Sequence, residues 1–284
     1  MLPVLLALCL GMGWQLLHSG ADAFSVHIFL LLNLGISLTF AGAVLALRAA
    51  TPLAAFAGGA ICLLVLLSTV GTRIDLLHSG LPPLLLLFVL TFAATKAGRR
   101  RKAQAGLAES RKGRNAAQVI ANLGVAGVSA AFPCFLSSAP TAYLWELCGR
   151  ACDTTRFIAP AFWAVLLAAL CEATADTVSS EIGQAFGGRP ILITSGRRVE
   201  PGTDGAITIL GTLAGMLAAA MVALTGYLGL GIGPWIPLAA GIAGLLFDSL
   251  LGATVERKGW LGNDLVNFAS TLFAAGLAIL AVRP

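Results

Sequence analysis

Apolar windows of about 17–22 residues recur nine times along this chain, near 2–17, 27–47, 52–70, 81–97, 117–138, 157–176, 207–227, 236–254 and 264–282. A helix rises about 1.5 Å per residue, so windows of this length match the ~30 Å hydrocarbon core of a bilayer. In lipid every backbone N–H and C=O needs a partner inside the segment, and a helix supplies them all. The expected fold is an all-α polytopic integral membrane protein with about nine transmembrane helices, the fifth interrupted by Pro133 and Pro140. Composition agrees: 58% of the 284 residues are hydrophobic and 11% are charged, against about a quarter charged in soluble domains. Residues 1–23 end in Ala-Asp-Ala like a secretory signal, but no Lys or Arg precedes the apolar stretch, so a retained first helix is expected.

Charge fixes the expected orientation. Lys96 to Arg114 holds eight Lys/Arg against one Glu, and such a loop stays on the cytoplasmic side. Alternating outward from it puts the N-terminus in the cytoplasm, together with the loops at 177–206 and 256–263. In a bacterium this would be the inner or plasma membrane. The net charge of +5 is concentrated in that one loop, without the interleaved aromatics of a nucleic-acid surface, so no nucleic-acid partner is expected. The six cysteines are scattered, and Cys148 and Cys152 have no nearby histidine to complete a zinc set.

The basic loop also divides the chain. Residues 1–95 carry only Asp22, Arg48, Arg73 and Asp75 as formal charges and read as a four-helix membrane scaffold. Residues 96–116 form the basic cytoplasmic loop, and 117–284 a five-helix catalytic half. That half holds four polar stripes at helical spacing: Asn115, Gln118 and Asn122; Glu172, Asp176, Ser179 and Ser180; Asp248, Ser249, Gly252 and Glu256; and Asn263, Asn267, Ser270 and Thr271. Their orientation sets all four at the cytoplasmic level. A carboxylate in a membrane segment costs about 2.5–3.5 kcal/mol on insertion scales, so several at one depth indicate a site.

The residue types point to phosphate chemistry. Magnesium takes oxygen ligands, usually one or two carboxylates plus substrate phosphates. Asp176 and Asp248 are the natural pair, with Glu172 as a further ligand and Glu181 as a catalytic helper. Arg197 and Arg198 can grip phosphate in bidentate fashion. Gly202, Thr203, Asp204 and Gly205 precede a helix that begins near Thr208, offering an anion seat at its N-terminus. The loop lacks the Gly-Lys-Ser/Thr of a Walker A motif. Gly211 and Gly215 read as a helix-packing face. The residues alone leave open a transporter or flippase for a lipid phosphate or ion, and a cytidylyltransferase that forms a CDP-lipid.

At these positions the chain resembles the domain-of-unknown-function 92 membrane family, of the plant phytyl-phosphate kinase and transmembrane protein 19 type. The resemblance rests on Gln118–Gly124, Ala175–Gly183, Pro190–Thr194, Pro201–Gly211, Phe247–Thr254, Asn263 and Asn267, in order across residues 90–284. Asp204, where a small residue is usual, and Glu256, where Gln is expected, depart from the pattern. The resemblance implies transfer of a phosphoryl group from a nucleoside triphosphate, typically CTP, to an isoprenyl (phytyl or prenyl) monophosphate. On that reading Asn122, Asn263, Asn267 and Ser180 orient substrate, while Arg197, Arg198, Gly202, Thr203, Gly205 and Thr208 hold nucleotide phosphate.

Overall fold

The computed structural model describes residues 23–70, 75–108, 112–138 and 159–282. The window at 2–17 and the loop at 140–156 lie outside these residues. Each of the other eight windows falls on a helix: α1 (Ala23–Ala46), α2 (Pro52–Thr69), α3 (Leu81–Lys96), α5 (Ala116–Ser138), α6 (Ala159–Phe186), α7 (Ile209–Leu230), α8 (Trp235–Leu251) and α9 (Asn263–Ala281). A short basic helix, α4 (Arg99–Gln104), lies inside the cationic loop. Among the described residues six helices are long and apolar enough to cross a membrane, while α3 and α5 contribute shorter apolar stretches. The chain is an integral membrane protein. α5 runs on through Pro133 to Ser138, since a membrane helix tolerates a proline where neighbours re-satisfy the freed carbonyl.

α6 is the axis of the bundle and packs against α3, α5, α7, α8 and α9. From Ala164 to Ala175 every residue of it is buried. Small residues let its neighbours come close. A Cβ on Gly211 of α7 would sit 2.5 Å from the Ser179 carbonyl, and one on Gly215 would sit 2.5 Å from that of Ala175. The Gly211/Gly215 face is thus a packing face, as its spacing suggests. On the outside, Leu31, Leu38, Leu217, Leu228 and Leu280 are all more than 60% exposed, the composition of a lipid-facing surface. Trp235 at the start of α8 and Trp260 in the turn before α9 are exposed, where amphipathic rings suit the interface.

One hydrophobic cluster contains Phe29, Ile61 and Leu84 together with Val125, Leu166, Val222 and Leu245. The segment at 1–95 and the segment after 116 therefore share a core. The described cysteine side chains, Cys62 and Cys171, are buried free thiols.

Beyond α6 the chain makes a short antiparallel ribbon, β1 (Ile191–Leu192) with β2 (Ala206–Ile207), in which Ile191 faces Ile207 and Leu192 faces Ala206. After α8 the backbone continues as a π-helical turn, Gly252–Glu256. Such turns are rare and recur at functional sites. The ribbon loop and the π turn meet: Gly205 lies directly against Ala253, and Gly252 against Gly205.

Candidate functional site: an acidic basin at one end of the bundle

The ends of α6, α8 and α9 and the ribbon loop enclose a polar basin of about 150 Å³. Asp176 projects from α6, Asp248 from α8, and Asn263 and Asn267 from α9, while Ser180, Gly202, Thr203, Gly205 and Thr208 complete its wall. The carboxyl groups of Asp176 and Asp248 come within hydrogen-bonding reach of each other. These two residues sit in the Ala-Asp-Thr and Phe-Asp-Ser segments, so two similar short motifs meet face to face.

Glu172 stands one helical turn behind this pair and is 1% exposed. Ser270 Oγ reaches its Oε1 at 2.7 Å and Asp248 Oδ2 at 3.1 Å, and Thr271 Oγ1 reaches Glu172 Oε2 at 2.6 Å. Both Glu172 oxygens are thus held by hydroxyls, and Ser270 ties it to Asp248. Gly244 makes room for it, since a Cβ there would sit 2.5 Å from Glu172 Cγ. The three-carboxylate metal set expected from the sequence is therefore not assembled. Among the described residues no three His, Cys, Asp or Glu side chains converge at metal-ligand spacing. What remains is a pair, Asp176 and Asp248, the number that magnesium commonly takes when phosphates fill its other positions.

Two further expectations need correction. Glu181 is five residues from Asp176, which at 100° per residue turns it about 140° around α6. It faces α3 and α4 instead of the basin, pairing with Lys102 Nζ and accepting from Thr95 Oγ1 at 3.0 Å. Arg197 and Arg198 are exposed on the ribbon loop, Arg198 bridging back to Ile191, and neither lines the basin. The ribbon closes the loop on itself and leaves both guanidiniums outside.

Asp204 and Glu256, the two departures from the family pattern, both line the basin and make it four-carboxylate. Among the described residues no Lys or Arg lines it.

The first polar stripe splits. Asn115 and Gln118 form a reciprocal cap at the start of α5, with Asn115 N–H to Gln118 Oε1 at 2.8 Å and Gln118 N–H to Asn115 Oδ1 at 3.0 Å. Asn122 instead accepts from Asn267 Nδ2 at 3.1 Å. Arg114, read from sequence only as part of the basic loop, donates from Nη2 to Thr177 Oγ1 at 3.3 Å and attracts the Asp176 carboxylate. Nothing in the sequence separates it from its seven basic neighbours.

Thr208 caps α7, its Oγ1 accepting the Gly211 N–H at 3.0 Å. That keeps its hydroxyl on the helix, and the basin's lining ends at Thr208 itself. Gly205 shapes the same rim. Its φ is +70°, and a Cβ there would fall 2.1 Å from Ala253 N. Gly188 has a similar φ of +72° but open space around it. Gly205→Ala should therefore lower the melting temperature in detergent well beyond Gly188→Ala, which carries only the left-handed backbone strain of roughly 1–2 kcal/mol. Equal shifts would mean that the loop does not rest on the π turn.

Helices of membrane-spanning length with a carboxylate basin at one end define a helical integral membrane protein with a polar site of its own. Residues 35–275 match the family described as integral membrane protein DUF92, and the chain belongs to that family. It is similar to the uncharacterized membrane protein MJ0933 of Methanocaldococcus jannaschii, 47% identical over 122 residues, covering 42% of this chain and 51% of that protein. It is also similar to the chloroplastic protein VTE6 of Arabidopsis thaliana, 36% identical over 202 residues, covering 68% of this chain and 55% of that protein. Protein PGR of Arabidopsis thaliana is 30% identical over 239 residues, covering 70% of this chain and 80% of that protein. The chain thus spans about half the length of the first two relatives. No solved structure matches it.

Proposed function

We propose that the chain is an isoprenyl-monophosphate kinase that works at the cytoplasmic membrane surface with CTP as donor. The observation that carries this reading is the basin itself: Asp176 and Asp248 face each other, ringed by Ser180, Asn263, Asn267 and the Gly202–Gly205 turn. The family resemblance supplies the substrate class, a prenyl or phytyl monophosphate.

In the reaction a phosphate oxygen of the lipid monophosphate attacks the γ-phosphorus of the nucleotide. A new P–O bond forms, the bond to the bridging β–γ oxygen breaks, and the nucleoside diphosphate leaves. The lipid phosphate is largely ionised at neutral pH, its second pKa being about 6, so no strong base is needed. Catalysis of this kind is mainly positioning and charge neutralisation.

Asp176 and Asp248 would hold Mg2+, which when bound neutralises the β- and γ-phosphate oxygens. The turn at 202–205, which lines the basin, orients the phosphate chain. Asn267 is set by Asn122, and Asn263 stands free at the rim to meet substrate. Arg114, held against Thr177, offers a positive charge where the two anions meet. The cationic helix α4 lies at the basin's end of the bundle, since Lys102 pairs with Glu181 and Arg101 covers Phe186 near the end of α6. That shared end is what favours a cytoplasmic site.

Purified protein, magnesium, prenyl monophosphate and CTP labelled at either the γ- or the α-phosphate test the reading. Transfer of γ-label to a lipid diphosphate is expected. α-Label joined to lipid would instead make the protein a cytidylyltransferase. Absence of both labels, with lipid phosphate crossing proteoliposome membranes, would make it a transporter.

A further inference from the structure

A second cavity opens at the same end of the bundle on the other side of α5, between α1, α2 and α3. We propose that this cavity, built largely by the segment at 1–95, is the seat of the prenyl monophosphate acceptor. Its apolar interior would take the isoprenoid chain, and Arg48, Lys96, Arg99 and Arg114 at its mouth would take the phosphate. The proposal rests on the kinase reading for the identity of the amphiphile and stands on geometry for its place.

The cavity has a volume of about 110 Å³ and a lining that is apolar at depth, including Val44, Ala54, Leu87 and Phe88. Phe40 meets Phe88 edge-on at 5.5 Å, and Phe88 stacks on Phe92 at 5.8 Å. Flat rings and small alanines suit a branched, unsaturated or methyl-studded chain. At the open end polarity reverses. Arg48, Lys96 and Arg99 line both this cavity and a wider vestibule of about 640 Å³ above it. Among the described residues no carboxylate lines either space, and none pairs with Arg48, Lys96 or Arg99. Arg48, Lys96 and Arg99, gathered over an apolar slot with no carboxylate in its described lining, complement an anionic head on an apolar tail.

The mouth is held in shape by the backbone. Thr51 N–H donates to Arg114 O and Arg114 N–H to Ala49 O, both at 2.9 Å, so the turn after α1 is laced to the segment before α5. Gly113 permits that contact, since a Cβ there would lie 2.4 Å from the Ala49 carbonyl carbon. Arg48 adopts a φ of +51°, the only positive value at a non-glycine among the described residues. Such strain in a non-glycine tends to persist where function requires it.

The two cavities share a thin wall. Asn122 lines the apolar slot, Asn267 lines the acidic basin, and they are hydrogen-bonded to each other. Arg114 lines the slot and bonds Thr177, the neighbour of Asp176. An acceptor phosphate held by Arg114 would therefore stand next to the carboxylate pair. Neither Arg197 nor Arg198 could place it there. An acidic basin for the cation-bound donor and a basic slot for the acceptor keep two anions apart until both are bound.

Photo-cross-linking on the full chain in nanodiscs, without nucleotide, tests this. The probe is a prenyl monophosphate with a diazirine in its chain, and labelled peptides are mapped by mass spectrometry. Label is expected on 40–58 and 87–92, suppressed by excess phytyl monophosphate, and reduced at least tenfold in Arg48→Gln/Arg99→Gln. Both arginines are exposed, so that variant should fold, and its unchanged melting temperature is the control. Label on α7–α9, or no label, would overturn the proposal. Equal suppression by phosphatidic acid would assign the slot to membrane lipid, and equal labelling by the prenyl alcohol would remove the phosphate from it; either overturns the proposal too. The kinase reading fails separately: label in the slot without γ-phosphoryl transfer leaves a prenyl-phosphate binding site and no kinase. Transfer with label elsewhere leaves a kinase with a different acceptor seat.

Discussion

Asp248→Asn and Asp176→Asn should each lose at least about a hundredfold in phosphoryl transfer, the scale seen when a group that stabilises transition-state charge is removed, while the protein stays folded. The substitution keeps size and most hydrogen bonding and deletes one charge. Were the two aspartates structural, the amide should be tolerated or should stabilise, because two like charges facing each other at the membrane are costly. Ser270 would still find Glu172 at 2.7 Å in the Asp248 variant, so the α6–α9 contact survives. Stability and activity therefore move apart only if the pair serves chemistry. Magnesium with nucleotide should raise the melting temperature of the wild type by mass action and leave both variants unshifted. Folded and active variants would take the pair out of the reaction. Inactive variants that magnesium and nucleotide still stabilise would move the cation to Asp204 and Glu256, the other two carboxylates of the basin.

The helices were legible because lipid leaves the backbone so few options: wherever an apolar window of bilayer length falls within the described residues, a helix is found. That Asp176 and Asp248 meet at one basin was legible for a related reason, since a charge inside such a window is expensive and stands out. What failed was direction. Arg197 and Arg198 lie within a few residues of the motif, and only the pairing of β1 with β2 shows that the ribbon carries them outward. Glu181 shares a helix with Asp176, and the period of that helix turns it toward α3 and α4. The first 95 residues looked inert because they carry only Asp22, Arg48, Arg73 and Asp75 as formal charges. Arg48 gains meaning only when Lys96, Arg99 and Arg114, distant in sequence, surround the same opening.

The pair that the sequence hid carries the largest expected effect on stability. Lys102 is 1% exposed and Glu181 15% exposed. Lys102 Nζ also donates to the carbonyls of Ala94 and Thr95, at 3.2 and 2.9 Å, so one ammonium holds the end of α3, the helix α4 and the side of α6 together. Lys102→Met removes the charge and leaves Glu181 with only the Thr95 hydroxyl. Breaking a buried pair from one side costs about 3–5 kcal/mol, because the remaining charge is uncompensated. The double variant Lys102→Met/Glu181→Met should recover most of that loss, since two apolar side chains of similar length refill the space without desolvating any charge. Denaturation of the two single variants and the double closes the cycle, and a double variant no more stable than Lys102→Met would mean that the ammonium acts on the backbone carbonyls and not on Glu181. The same double variant decides the role of Glu181. If the glutamate only fastens α6 to α3 and α4, phosphoryl transfer returns with stability. If it takes part in the reaction after all, the double variant is folded and inactive.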